Sequence, residues 1–135
     1  MQKQDSYLAV THDIHVSVTP IFLEDESKPD EHLYVWGYKV RIENKSEMTV
    51  TLRARFWEII DALGQKQNVH GDGVVGETPI IEPGTFFEYT SGTPLPTPSG
   101  IMQGKYYVET ETMQELEIDI PAFSLDSPYS RQVTH

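Results

Sequence analysis

Three glycines, Gly71, Gly73 and Gly76, stand in G-x-G-x-x-G order inside VHGDGVVGETPIIEPG, a pattern that lets backbone amides approach a pyrophosphate. That chemistry needs free N–H groups and a helix that starts at the last glycine and turns its positive end toward the phosphate. The sequence predicts no such helix. Thr78-Pro79 leads into Ile80-Ile81 and another turn at Pro83-Gly84, and Pro79 has no N–H to give. Asp72 or Glu77 at about 7 Å from a phosphate would add roughly 2 kcal/mol of repulsion at an effective dielectric of about 20, a sign that only a divalent ion reverses. Two other readings fit the glycines: turn or bulge positions that need positive φ, or a strained connector presented to a protein partner. The candidate binding loop is Gly71, Asp72, Gly73, Val74, Val75, Gly76 and Glu77.

His70, Asp72 and Glu77 could offer one nitrogen and two oxygens to a weakly held Mg2+ or Co2+, against the plain alternative of a solvated loop. His12 and His15 lie three apart in a strand-like stretch, so their imidazoles diverge. The acidic run Glu24, Asp25, Glu26, Asp30 and Glu31 lacks the ligand spacing of a calcium loop. Lys39, Arg41, Arg53 and Arg55 fall on polar faces by alternation, and Arg53 and Arg55 with Trp57 form a candidate anion or partner contact. Alternation turns Trp57 outward beside those arginines; a local bulge would return it to the core. Ser91 and Ser99 sit in a Gly/Pro-rich stretch with no histidine nearby in sequence. No nucleophile stands beside a base, so the sequence predicts no enzyme and no resident cofactor.

The elements around these residues read as strands. Thr11–Leu23 alternates with Ile14, Val16 and Val18 on one face. His32–Glu43 alternates more strictly, with Tyr34, Trp36, Tyr38, Val40 and Ile42 on the core side. Met48–Ile60 satisfies both a helical and a strand period, and its β-branched Thr49, Val50 and Thr51 favour the strand. Gln65–Val69, Thr85–Thr90, Ile101–Thr112 and Glu115–Ile120 complete the set. Short strands between Gly/Pro turns, with no convincing helix, indicate an all-β sandwich of about seven strands in two antiparallel sheets. With 135 residues the chain fits a single domain, taken as 1–125, with 126–135 expected to be a flexible tail.

Arg55-Phe56-Trp57, GDGVVGETP, IIEPG, FEYTSG, MQGKYYV and IDIPAFSL occur in an order and spacing that resemble the ApaG family over about His12 to Leu125. The resemblance implies a fibronectin type III-like (immunoglobulin-like) sandwich and a strand at Met48–Ile60. It also implies an association with cobalt resistance and magnesium efflux in bacterial members. Related eukaryotic domains are joined to F-box proteins and to a polymerase-interacting protein, as interaction modules. The family brings no catalytic residues to carry over. Tyr106 reads as a tyrosine-corner lock.

Ten Lys and Arg against twenty-one Asp and Glu give a formal charge of −11, which opposes nucleic acid and anionic membrane as partners. Without cysteine, and with no signal-like apolar run in MQKQDSYLAV, the expected place is the cytoplasm. The functional expectation is a non-enzymatic module that binds a protein partner through loops at one end of the sandwich, Gly71–Pro79 and Ser91–Gly100. The alternative is a Mg2+-assisted pyrophosphate- or nucleotide-binding protein, or weak phosphohydrolase, using GDGVVG.

Overall fold

Residues 6–133 are described by the computed structural model. Among the described residues there are nine strands: β1 Tyr7–Thr11, β2 Ile14–Phe22, β3 Tyr34–Asn44, β4 Val50–Asp61, β5 Lys66–Asp72, β6 Ile80–Ile81, β7 Phe86–Leu95, β8 Ser99–Thr110 and β9 Glu115–Asp126. The first sheet runs β1-β2-β3-β7, and the second β5-β4-β8-β9 with β6 also paired to β4. Every pairing is antiparallel. The seven expected strands are β2, β3, β4, β5, β7, β8 and β9, distributed as in a fibronectin type III-like sandwich; β1 and β6 are additional.

Alternation in β3 works as its sequence requires: Tyr34, Trp36, Tyr38, Val40 and Ile42 are all buried. Burying side chains of this size contributes about 1.5–3 kcal/mol each. Asn44 closes the strand and turns the chain toward the other sheet. Its fully buried amide donates to Met48 O at 2.8 Å and Ile81 O at 2.9 Å, and its oxygen accepts from the Ser46 N–H at 2.9 Å.

Three expectations need correction. The stretch Thr11–Leu23 hides a hairpin, because His12 (φ 51°) and Asp13 (φ 63°) form a two-residue turn that pairs Thr11 with Ile14. The Gly/Pro-rich 91–100 segment belongs to β7 and β8, joined across Pro96-Thr97-Pro98. That junction meets β4 at its C-terminal end, where Thr97 Oγ1 accepts the Ala62 N–H at 3.0 Å, whereas the glycine loop meets β4 at its start. The two loops therefore occupy opposite ends of the sandwich. Finally, the expected tail is docked at its beginning: Ser127 is buried, and Tyr129 packs on Phe22 and Tyr34 while donating to Glu24 Oε2 at 2.6 Å. Residues 134–135 of that tail lie outside the described residues.

β4 carries a register shift that decides the site. Leu52 pairs with Val108 and Ala54 with Tyr107, so Arg53 is the extra residue of a bulge. The phase reverses there, and Val50, Leu52, Trp57 and Ile59 are all buried. Trp57 is a core residue, 3% exposed, with Tyr38 at 5.2 Å and Phe123 at 6.0 Å between ring centroids.

Candidate functional site: the glycine hairpin and Arg55

β5 leaves β4 at Gly71 and Asp72, and the chain then doubles back on itself. Gly73 N–H donates to Arg53 O at 2.7 Å, Val74 N–H to Glu77 O at 2.8 Å, and Glu77 N–H to Val74 O at 2.8 Å. Val75 (φ 42°) and Gly76 (φ 82°) are the two central residues of this tight hairpin, and Gly73 also has positive φ, 57°. A Cβ at Gly73 would collide with the Glu77 carbonyl, so the glycine is what allows the two limbs to close. Pro79 O then accepts the Leu52 N–H at 2.9 Å, and β6 lies along Val50 and Thr51.

Donor accounting weighs against a pyrophosphate cradle. The amides of Gly73, Val74 and Glu77 already bond to carbonyls, and the segment continues into strand β6 rather than a helix. The glycines serve the turn. Val74 is fully buried and belongs to the core, which removes it from the candidate contact surface; Val75 beside it is 53% exposed.

The arginines separate. Arg53 points outward, with Nη2 at 2.7 Å and Nε at 3.1 Å from Glu109 Oε1. Arg41 and Lys39 share Glu88 on the outer face of the first sheet, at 3.3 and 3.8 Å. Arg55 was expected on a polar face, but the bulge puts it opposite Tyr106 on the inner side. Its Nη1 donates to Asp72 O at 3.0 Å and Gly73 O at 2.9 Å, and its guanidinium lies flat on Gly71. Arg55 thus braces the base of the hairpin. Arg53, Arg55 and Trp57 do not form one contact patch: one is outside, one spans the edge, one is in the core.

Three tyrosines that the sequence did not connect meet beside Arg55. The Tyr89 and Tyr106 hydroxyls hydrogen-bond to each other across the two sheets, and Tyr38 pairs with Ser91 in the ladder. Tyr106 stands in the middle of β8 and locks to a side chain of the opposite sheet, so it is not a corner. Burial raises the pKa of Tyr38, Tyr89 and Tyr106 above the usual phenol value, and Arg55 opposes the rise in each case. Inward parity was legible for Tyr38; no sequence signal links it to the other two.

The metal candidates do not converge. His70 lies against Phe56, with ring centroids 4.7 Å apart and the planes tilted by 44°, on the outer face of the second sheet, and among the described residues no group of three His, Asp or Glu side chains could hold an ion. No helix among the described residues is long and apolar enough to cross a membrane.

Comparisons with known proteins agree with this architecture. The sequence profile described as the ApaG domain matches residues 24–110. The protein ApaG of Parvibaculum lavamentivorans is 56% identical over 96% of this chain and 99% of its own, and that of Paramagnetospirillum magneticum 54% identical over 93% and 96%. A crystal structure of a Bordetella pertussis protein named ApaA superposes with a TM-score of 0.84 at 42% identity, covering 88% of this chain and 97% of that one. With the profile spanning most of the sandwich and relatives matched over nearly their whole length, this chain belongs to the ApaG family.

Proposed function

We propose that this chain is a non-enzymatic interaction module, working in the cytoplasm, that presents the 72–77 hairpin tip to a protein partner. The observation that carries the reading is Val75. A β-branched residue at φ 42° is strained, by about 1–3 kcal/mol, and this one directs an apolar side chain into solvent. Asn-Gly would suit the turn better, so the valine costs stability while offering an apolar contact. Met113 repeats the pattern on the turn between β8 and β9 at the same end of the sandwich, with φ 67° and 78% exposure. A rigid scaffold with apolar tips on tight turns is a common arrangement for binding. On this reading the family's association with cobalt resistance and magnesium efflux acts through the partner rather than through a metal held by this chain.

The test is affinity capture with three baits: wild type, Val75→Asp with Met113→Asp, and Leu63→Asp. Leu63 is exposed too, but lies past the far end of β4. A partner held by wild type and by the Leu63 variant but lost by the tip variant is the expected result. Full retention by the folded tip variant would remove the hairpin from the interface.

A further inference from the structure

β7 forms one margin of the first sheet, and its free side follows from one hydrogen bond. Asn44 N–H donates to Thr85 O at 3.0 Å. In an antiparallel ladder, residues whose N–H and C=O face the neighbouring strand alternate with residues that face away. With Ile42 opposite Phe87 and Val40 opposite Tyr89, the odd-numbered residues of β7 bond to β3, and Phe86, Glu88, Thr90 and Gly92 aim their amides outward. Leu23 N–H to Val35 O, 2.9 Å, on the far side of β3 obeys the same phase. Among the described residues no protein acceptor meets these four outward amides.

The other margins are guarded. β1 has five residues and lies against β9, where Thr11 Oγ1 accepts the Asp119 N–H at 3.1 Å. β5 carries Lys66, His70 and Asp72. β7 runs for ten residues with Glu88 as its single charge and a proline only at 94, an edge that invites another strand.

Arg55 stands on the same side of the sandwich as that edge. β1 and β9 close one side of the sandwich, so β5 and β7 flank the other, and the guanidinium resting on Gly71 reaches across β5 toward the gap between them. Arg41 and Arg53 each have a glutamate. Arg55 has two carbonyls on Nη1, and among the described residues no carboxylate and no acceptor for Nε or Nη2.

We infer that the free edge of β7 takes an extended segment of a partner protein as an added strand, and that Arg55 receives a carboxylate carried on the inner side of that segment, beside Tyr89. Outward amides supply the ladder, and the charge left without a counter-ion sets the preference. This goes beyond the hairpin tip and does not depend on it.

The test selects random nonapeptides displayed on phage against the full chain, with Thr90→Pro, Arg55→Gln and Val75→Asp variants in parallel, each checked for fold by circular dichroism. Proline at 90 removes only an outward donor and keeps the β3 ladder. The expected pool carries Asp or Glu at one fixed position among alternating β-branched residues. It loses at least about tenfold in affinity on Thr90→Pro, by breaking the ladder, and its acidic preference on Arg55→Gln, which removes the charge. It binds Val75→Asp as wild type, so failure here and failure of the hairpin reading are separable. Bound peptide slows amide exchange at 86, 88, 90 and 92 and leaves 87, 89 and 91 unchanged. No enriched pool, a pool without the acidic position, binding indifferent to Thr90→Pro, or occupation of the edge by a second copy of the chain, seen as a dimer that Thr90→Pro dissolves, would each overturn the inference.

Discussion

The guanidinium of Arg55 occupies the space that a side chain at Gly71 would need: a Cβ there would lie 2.6 Å from Cζ and from both terminal nitrogens. Gly71→Ala therefore displaces Arg55 and strands the Asp72 and Gly73 carbonyls that it braces. The expected loss is about 2 kcal/mol in urea unfolding. Arg55→Ala should cost a similar amount, and the double variant clearly less than the sum, because both changes remove one interaction.

Val75→Asn tests the strained turn from the opposite direction. Asparagine tolerates positive φ and forms with Gly76 the favoured two-residue hairpin sequence. The variant should gain about 1 kcal/mol, raising Tm by a few degrees in calorimetry. On the proposed function it should also lose partner capture, so that stability rises as binding falls.

The Tyr89–Tyr106 hydroxyl pair predicts a non-additive cycle. Either single Phe variant leaves one buried hydroxyl unsatisfied and should cost about 1–3 kcal/mol, whereas the double variant should cost less than the two together. The same burial links stability to alkali. Folded pKa values raised above the phenol value near 10 mean that the unfolded chain releases protons first. The tyrosine contribution is therefore fully present below pH 10 and lost above it, by about 1.4 kcal/mol per pH unit for each responsive tyrosine. Tyr89→Phe with Tyr106→Phe should shift base unfolding to higher pH, followed by near-ultraviolet absorbance.

Asn44 makes a fourth case. Its buried amide serves the Met48 and Ile81 carbonyls and the Ser46 amide where the chain passes between sheets. Asn44→Ala leaves several polar groups unpaired at once, and the expected destabilisation is about 3 kcal/mol or more by chemical unfolding. Glu82→Ala, exposed nearby, is the control, with a change within about 0.5 kcal/mol.

Sequence alternation foretold the sandwich because β2, β3 and the ends of β8 and β9 obey a strict two-residue period. It failed where the backbone leaves that period. A turn at His12-Asp13 interrupts an unbroken apolar pattern, and a bulge at Arg53 reverses inside and outside for everything that follows in β4. Gly92 and Pro94 read as loop because composition does not reveal that an edge position tolerates them. The glycine pattern was legible as turn chemistry. The partnership of Arg55 with Gly71, and the meeting of three tyrosines, depend on strands far apart in sequence and left no local trace.

The extra residue at position 53 serves the hairpin rather than the ladder it interrupts. Deleting Arg53 would join Leu52 and Ala54 in the register they already keep against Val108 and Tyr107, leaving the Trp57 indole inside but depriving the Gly73 N–H of the Arg53 carbonyl that ties the hairpin to β4.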